Sequence, residues 1–281
     1  MVAGMGVDVI TDDIVRGENI STADTHYVAQ WAYANRILRA AAWASRQDRN
    51  VQFVELTSFG CGPDALLTDE VRDLLGRHGK SLTLLKIDDV SNTGSLKLRI
   101  RSLIESLKLG HASQAAPRPF VTTPDFGERD RKRKILVPFF TPFISPLIPA
   151  LLKRAGYEAE NLPMSTQASV ESGLRYANNE ICYPATLIVG DIVNALQSGR
   201  HDPTETAVAI TQTGGQCRAS NYIYLLRKAL KKAGLEQVPV ISVNMSGLES
   251  ASGFKLTLPL VRQIVASLVY GDCIMCVSNQ T

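Results

Sequence analysis

Aromatic side chains are scarce, at 6% of the 281 residues, which leaves little material for the base-stacking platforms of single-strand nucleic-acid binders. Charge of one sign is also missing. Thirty Lys and Arg stand against 27 Asp and Glu, a net of +3, too even a balance to draw in a nucleic acid by its overall field. No uninterrupted run approaches the ~18 apolar residues of a membrane span. The opening MVAGMGVDVITDD has no basic n-region and turns acidic too early for a secretory signal. These absences lead us to expect a soluble, cytoplasmic chain with neither nucleic acid nor membrane as a partner. What is present is a globular composition, 45% hydrophobic and 20% charged, which excludes disordered and fibrous classes. The length leaves room for about two domains.

Cysteine is sparse and odd in number: Cys61, Cys182, Cys217, Cys273 and Cys276. Without an export signal these thiols are expected to stay reduced, so a disulfide framework is a poor first guess. Reduced thiols either pack as small hydrophobes or bind something soft, such as zinc or an iron–sulfur cluster.

The order of elements reads as α/β. Residues 5–16 suggest a short strand and turn; Gly4 and Gly6 lack the third glycine of a dinucleotide loop, since Val9 stands there. A helix-period stretch over 25–46 precedes strand 52–59, a Gly60-Cys61-Gly62-Pro63 turn, a helix to Gly79, strand 81–88 and helix 95–110. Three prolines and a basic block (Arg129, Arg131, Lys132, Arg133, Lys134) then break the rhythm over 111–133. A solvated linker is the favoured reading of that block, and phosphate contact the alternative. A second run follows: strand 134–140, proline-rich helix 142–156, a short strand near 157–163, helix 166–180, a helix from Cys182-Tyr183-Pro184, strand 207–213, helix 221–234, strand 238–244 and a final helix 256–272. Strands alternating with helices predict parallel sheets. The expected fold is two flavodoxin-like parallel-sheet lobes with helices on both faces, each with room to be incomplete: lobe 1–110, linker 111–133 and lobe 134–281.

Three cysteines share a setting. Cys61 follows a strand and sits between two glycines ahead of a helix, Cys217 follows a strand and the Gly214-Gly215 pair ahead of a helix, and Cys182 stands before Pro184 at a helix mouth. Loops after strand carboxyl ends gather along one edge of a parallel sheet, where ligands bind. Helix N-termini stabilise anionic groups, and glycine lets backbone amides approach a ligand closely. The competing reading, a buried apolar thiol, suits a loop position flanked by glycine less well. Zinc usually takes four ligands at short paired spacings, whereas these thiols are far apart in sequence and none of His26, His78, His111 or His201 accompanies them. Three separated thiolates suit a [4Fe–4S] cluster with one iron open, although clusters usually show a fourth cysteine. Cys273-Ile274-Met275-Cys276 has CxxC spacing but no second pair, so packing is its favoured reading.

The motifs Phe59-Gly60-Cys61-Gly62-Pro63-Asp64, Asn179-Glu180-Ile181-Cys182-Tyr183-Pro184-Ala185 and Gln212-Thr213-Gly214-Gly215-Gln216-Cys217-Arg218-Ala219-Ser220-Asn221-Tyr222 resemble the CoA-substrate-specific enzyme activase family. The resemblance is to its regions related to 2-hydroxyacyl-CoA dehydratase and benzoyl-CoA reductase subunits, and it covers nearly the whole chain. It implies a cysteine-bound [4Fe–4S] or double-cubane cluster in tandem flavodoxin-like lobes. The implied chemistry is low-potential electron delivery, driven by ATP hydrolysis in a partner domain or protein, to the reduction or dehydration of acyl-CoA type substrates. The phosphate-binding motifs of that ATPase are missing, so this chain is not expected to hydrolyse ATP by itself. The resemblance also makes Cys61 the closing part of one cluster-binding half and Cys182 and Cys217 the opening of the next, as in a segment of a longer protein.

Other residues carry weaker expectations. Arg218, with Gly214 and Gly215, could hold a CoA or nucleotide phosphate, or serve as an ordinary cap. Asn178 and Asn179 read as caps of the preceding helix. Tyr183 and Tyr222 could shield a cluster from water. Asp88 and Asp89 read as solvated turn charges rather than an acid–base pair. Three functional readings follow: an iron–sulfur electron-transfer or dehydratase component, a CoA- or nucleotide-binding scaffold, and a segment without activity of its own. A homodimer would bring incomplete halves together, though nothing in the sequence demands one.

Overall fold

The computed structural model describes residues 2–27, 31–57, 64–87, 93–109, 117–215, 217–244 and 251–280, apart from the side chain of Arg218. It divides into two compact units, Met1–Val121 and Thr122–Thr281. Each is α/β and carries its own parallel sheet.

The first unit runs α1 (Ala32–Arg46), β1 (Val54–Thr57), α2 (Asp64–Arg77), β2 (Thr83–Lys86) and α3 (Thr93–Lys108). β1 and β2 pair in parallel with Val54 opposite Thr83. The inner face of α1 is alanine-rich, with Leu38, Ala41 and Ala42 fully buried, and it packs on α2 through Leu66, Leu67, Val71, Leu74 and Leu75. Charged side chains complete this small core. The Lys80 ammonium donates to the carbonyls of Ala44 (2.6 Å), Asp48 (2.9 Å) and Val51 (2.9 Å), closing the carboxyl end of α1. Burial pulls the Lys80 pKa down, and Asp48 opposes that shift. Arg77 is buried, lies 3.2 Å from Asp73 and 3.7 Å from Asp24, and stacks 5.0 Å from the centre of the Phe120 ring. One guanidinium thus ties residues 24 and 120 to the end of α2.

The second unit runs β3 (Lys134–Val137), α4 (Ile148–Arg154), β4 (Ala159–Asn161), α5 (Gln167–Tyr176), α6 (Tyr183–Gln197), β5 (Thr206–Thr211), α7 (Tyr222–Lys232), β6 (Val240–Val243) and α8 (Leu258–Ser278). Its all-parallel sheet has the order β4-β3-β5-β6. The first strand of the unit therefore lies between its second and third, the doubly wound order of flavodoxin-like sheets, with the switch point between β3 and β5. Period-2 alternation builds two cores. Leu136, Val208, Ile210 and Val240 pack with Ile192 and Leu196 of α6 and Ile223, Leu226 and Leu230 of α7. The alternate residues Ile135, Ala207, Ala209 and Ile241 pack with Phe126, Leu152, Tyr157 and Phe254. β5 is buried along its first five residues, as a central strand covered on both faces must be.

Several expectations change. Residues 5–16 form no strand; 3-10 turns occupy Ala3–Met5 and Asp12–Val15, the first closed by Gly6 at φ +78°. The expected helix over 142–156 starts late, because Pro146 and Pro149 lack the N–H groups that would extend it backwards. A 3-10 turn over Ser145–Leu147 precedes α4, and Ser145 Oγ accepts from the amides of Phe140 (2.8 Å) and Thr141 (3.1 Å). The expected linker 111–133 is divided: 117–121 go with the first unit and 122–133 with the second, where Phe126 is fully buried. The basic block is knit into that second unit. Arg133 bonds Asp130 (2.7 Å) and the carbonyls of Pro203 and Thr206, Lys134 lies 3.3 Å from Glu160, and Arg131 stacks on Tyr157.

The largest departure is α8, which continues past Asp272 to Ser278 and carries Cys273 and Cys276 on exposed positions, not in packing. Its buried seam passes through Leu260 and Gly271, leaving both cysteines off that line. Two charged residues alone, Arg262 and Asp272, interrupt it. By length and composition it is therefore long and apolar enough to cross a membrane, contrary to the expectation that no segment would be.

Candidate metal centre

Cys182 and Cys217 are brought to the same edge of the second sheet by the topology. α6 leads into β5 and α7 leaves it, so the N-termini of both helices lie at the carboxyl ends of the strands, the edge where doubly wound sheets bind ligands. The two cysteines have almost the same backbone. Cys182 is the N-cap of α6 at φ −68°, ψ 147°; Cys217 is the N-cap of the 3-10 turn Arg218–Asn221, which runs into α7, at φ −67°, ψ 143°. Neither side chain caps its own helix. The Cys182 thiol is half-buried and lies 2.7 Å from the hydroxyl of Tyr222, the first residue of α7, so the two helix mouths meet at a sulfur. Cys217 is exposed.

Glycine fixes how Cys182 is presented. α5 and α6 form a tight hairpin around Gly173 and Gly190. A β-carbon at Gly190 would land on the Ser169 carbonyl oxygen, and one at Gly173 on that of Thr186. Pro184 sits in the first turn of α6, where a missing N–H costs nothing. Asn178 makes a local turn through its side chain, accepting from the Glu180 amide at 2.9 Å.

A buried polar chain holds the loop that carries Cys217. Asn244 Nδ2 donates to Ser242 Oγ (2.7 Å), which donates to Gln212 Oε1 (2.7 Å). Gln212 Nε2 donates to the Ser220 carbonyl (2.9 Å), and Ser220 Oγ donates to the Gly215 carbonyl (3.0 Å). Buried and mutually satisfied, such a chain fixes one loop conformation. Gly214 takes φ +71°, favoured only by glycine, and a β-carbon at Gly215 would meet open space. Sequence reading gave roles to the glycines and the cysteine, but none to Gln212 and Ser220 of the same motif, and it missed Ser242. The available signal was a glutamine at the end of an apolar strand, which needs a partner once buried.

Cys61 lies outside the described residues, as do Asp88, Asp89 and the Arg218 side chain. Among the described residues no three His, Cys, Asp or Glu side chains converge. Two thiols at adjoining helix mouths fit the donor type of an iron–sulfur cluster. Tyr222 stands beside Cys182, as a shielding residue would, while Tyr183 is exposed.

Sequence reading also missed Glu55 in the first unit. This β1 residue is 4% exposed, accepts from Thr68 Oγ1 at 2.8 Å, and is pushed up to about 7, chiefly by burial and further by Asp64, against the pull of Thr68 and Arg72. Its place in an alternating strand pattern gave no sign of burial, because a carboxylate normally marks the solvent side.

Comparison with protein-family models, with curated proteins and with solved structures found no match for this chain.

Proposed function

We propose that the chain is a cytoplasmic iron–sulfur protein related to 2-hydroxyacyl-CoA dehydratase components, with Cys61, Cys182 and Cys217 as thiolate ligands. The observation that carries this reading is the pair of matched N-cap cysteines at one sheet edge, with the Cys182 thiol against the hydroxyl of Tyr222 at the mouth of α7. Such a cluster supplies one-electron transfer at low potential, tuned by hydrogen bonds and burial. The chain's own contribution is to hold two thiols at positive helix ends, with a loop fixed by Gln212 and Ser220. An ATP-hydrolysing activase domain or protein is the partner this reading requires, with an acyl-CoA as the substrate class.

The test is iron and acid-labile sulfide content, with a visible spectrum, on protein purified without oxygen. About four irons per chain are expected for a [4Fe–4S] cluster, lost in Cys182→Ala and Cys217→Ala. Loss in Cys61→Ala as well would put all three thiolates on one cluster. A reconstituted protein without iron overturns the proposal. A second reading, CoA or nucleotide binding, is favoured by the open space at Gly215 beside a helix N-terminus. It expects a colourless protein whose melting temperature rises with CoA.

A further inference from the structure

α8 presents two faces, and among the described residues only one is used inside its own unit. Leu260 is 2% exposed, and a β-carbon at Gly271 would meet Ile144 and the Phe143 carbonyl, so this seam packs on the segment ahead of α4. The loop that leads into α8 is held down independently: the Gly253 amide donates to the Phe126 carbonyl (3.0 Å), and Tyr157 Oη donates to the Gly253 carbonyl (3.2 Å). The orientation of the helix is thereby set.

The opposite face carries Leu258, Arg262, Val265, Val269, Asp272 and Cys276, all exposed, with Leu258 at 63%, Val265 at 54% and Val269 at 58%. Successive members are separated by alternating steps of four and three residues. That is the spacing of a coiled-coil seam. The pattern is also symmetric about Ser267: Leu258 and Cys276 are equidistant from it, as are Arg262 and Asp272, and Val265 and Val269. A second copy of the helix laid antiparallel across the first places Val265 beside Val269, Leu258 beside Cys276, and Arg262 beside Asp272. The sole cation and the sole carboxylate of α8 therefore meet each other, twice, across a two-fold axis. Antiparallel packing also matches each d position with a partner's a position, as this register requires.

We infer that α8 is the homodimerisation surface of this protein, an antiparallel helix pair sealed by two Arg262–Asp272 ion pairs. Lipid is the competing occupant of so apolar a helix. It fits the outer stripe poorly, because Arg262 and Asp272 lie on that stripe, and charges facing hydrocarbon are costly. In the dimer the same two residues neutralise one another.

The test uses the full chain and charge reversal. Sedimentation equilibrium should give wild type a mass twice the 30.6 kDa of the chain. Arg262→Asp and Asp272→Arg, each alone, oppose like charges at both symmetry-related positions, and each should weaken dimerisation by about 100-fold or more. Both sites are exposed, so circular dichroism should show folded monomers. An equimolar mixture of the two variants restores both opposite-charge pairs and should sediment as a heterodimer. Four results overturn the inference: a wild type that stays monomeric up to about 100 µM, a dimer indifferent to either reversal, a mixture that fails to associate, or monomers that co-sediment with phosphatidylcholine–phosphatidylserine vesicles.

Discussion

The two units place their polar residues differently. In the first, Glu55, Thr68, Glu70 and Arg77 are buried around a two-stranded sheet, and charged groups serve as part of the core. In the second, four parallel strands carry apolar clusters on both faces, and the buried chain from Gln212 to Ser220 is confined to the carboxyl edge. A narrow sheet buries too little apolar surface to exclude charge, so hydrogen bonds and ion pairs must satisfy what it encloses. A wider sheet can keep its two faces apolar, with a polar chain at the edge where a ligand would bind. The first unit should therefore respond to pH and charge, and the second to packing.

The largest expected effect breaks the second unit and spares the first. Gly190→Ala drives a methyl into the Ser169 carbonyl and forces α5 and α6 apart. It should cost about 3 kcal/mol or more, seen as a lower melting transition for the second unit. The same change at Gly76, inside α2, meets nothing within 4 Å, and should be neutral or stabilising by up to about 1 kcal/mol. Equal losses at both positions would erase the contrast.

The next effect sharpens the pH difference. Glu55 titrates at about 7 when folded, from an ordinary value of 4.5. Between those values the folded state holds a proton that the unfolded state has released, so stability falls as pH rises. The contribution is complete below about pH 4.5 and lost by about pH 7, a decline of about 2–3 kcal/mol. Denaturant titrations of Glu55→Gln from pH 4 to 8 should lose that slope. A slope that persists would place the pH sensitivity elsewhere.

The smallest stability effect is expected at the candidate centre. Tyr222→Phe removes the hydroxyl beside Cys182 and should cost about 1 kcal/mol. In protein loaded with the proposed cluster, the same variant should shift the reduction potential, because hydrogen bonds near sulfur tune it. An unchanged potential would make Tyr222 a packing residue only.

Much of the second lobe was readable from sequence. Strand 207–213 and helix 221–234 are long, strongly patterned segments, and their observed counterparts Thr206–Thr211 and Tyr222–Lys232 differ at the ends alone. The first sixteen residues misled because a few apolar residues near glycine suit a strand only where a partner strand exists; here 3-10 turns form instead. At the candidate centre the loop cysteines and glycines were legible, since chain breakers after a strand mark an edge loop. The Cys182–Tyr222 contact was not, because it joins residues forty apart through the packing of two helices.

Sequence by itself determined the alternation of strands and helices and the placing of Cys61 and Cys217 in glycine-containing loops after strands, both of which follow from local periodicity and residue type. Tertiary structure alone decided that Glu55 is buried, that Gln212 anchors the Cys217 loop, and which face of α8 stays open. Burial depends on neighbours supplied by distant parts of the chain, and no local pattern contains them.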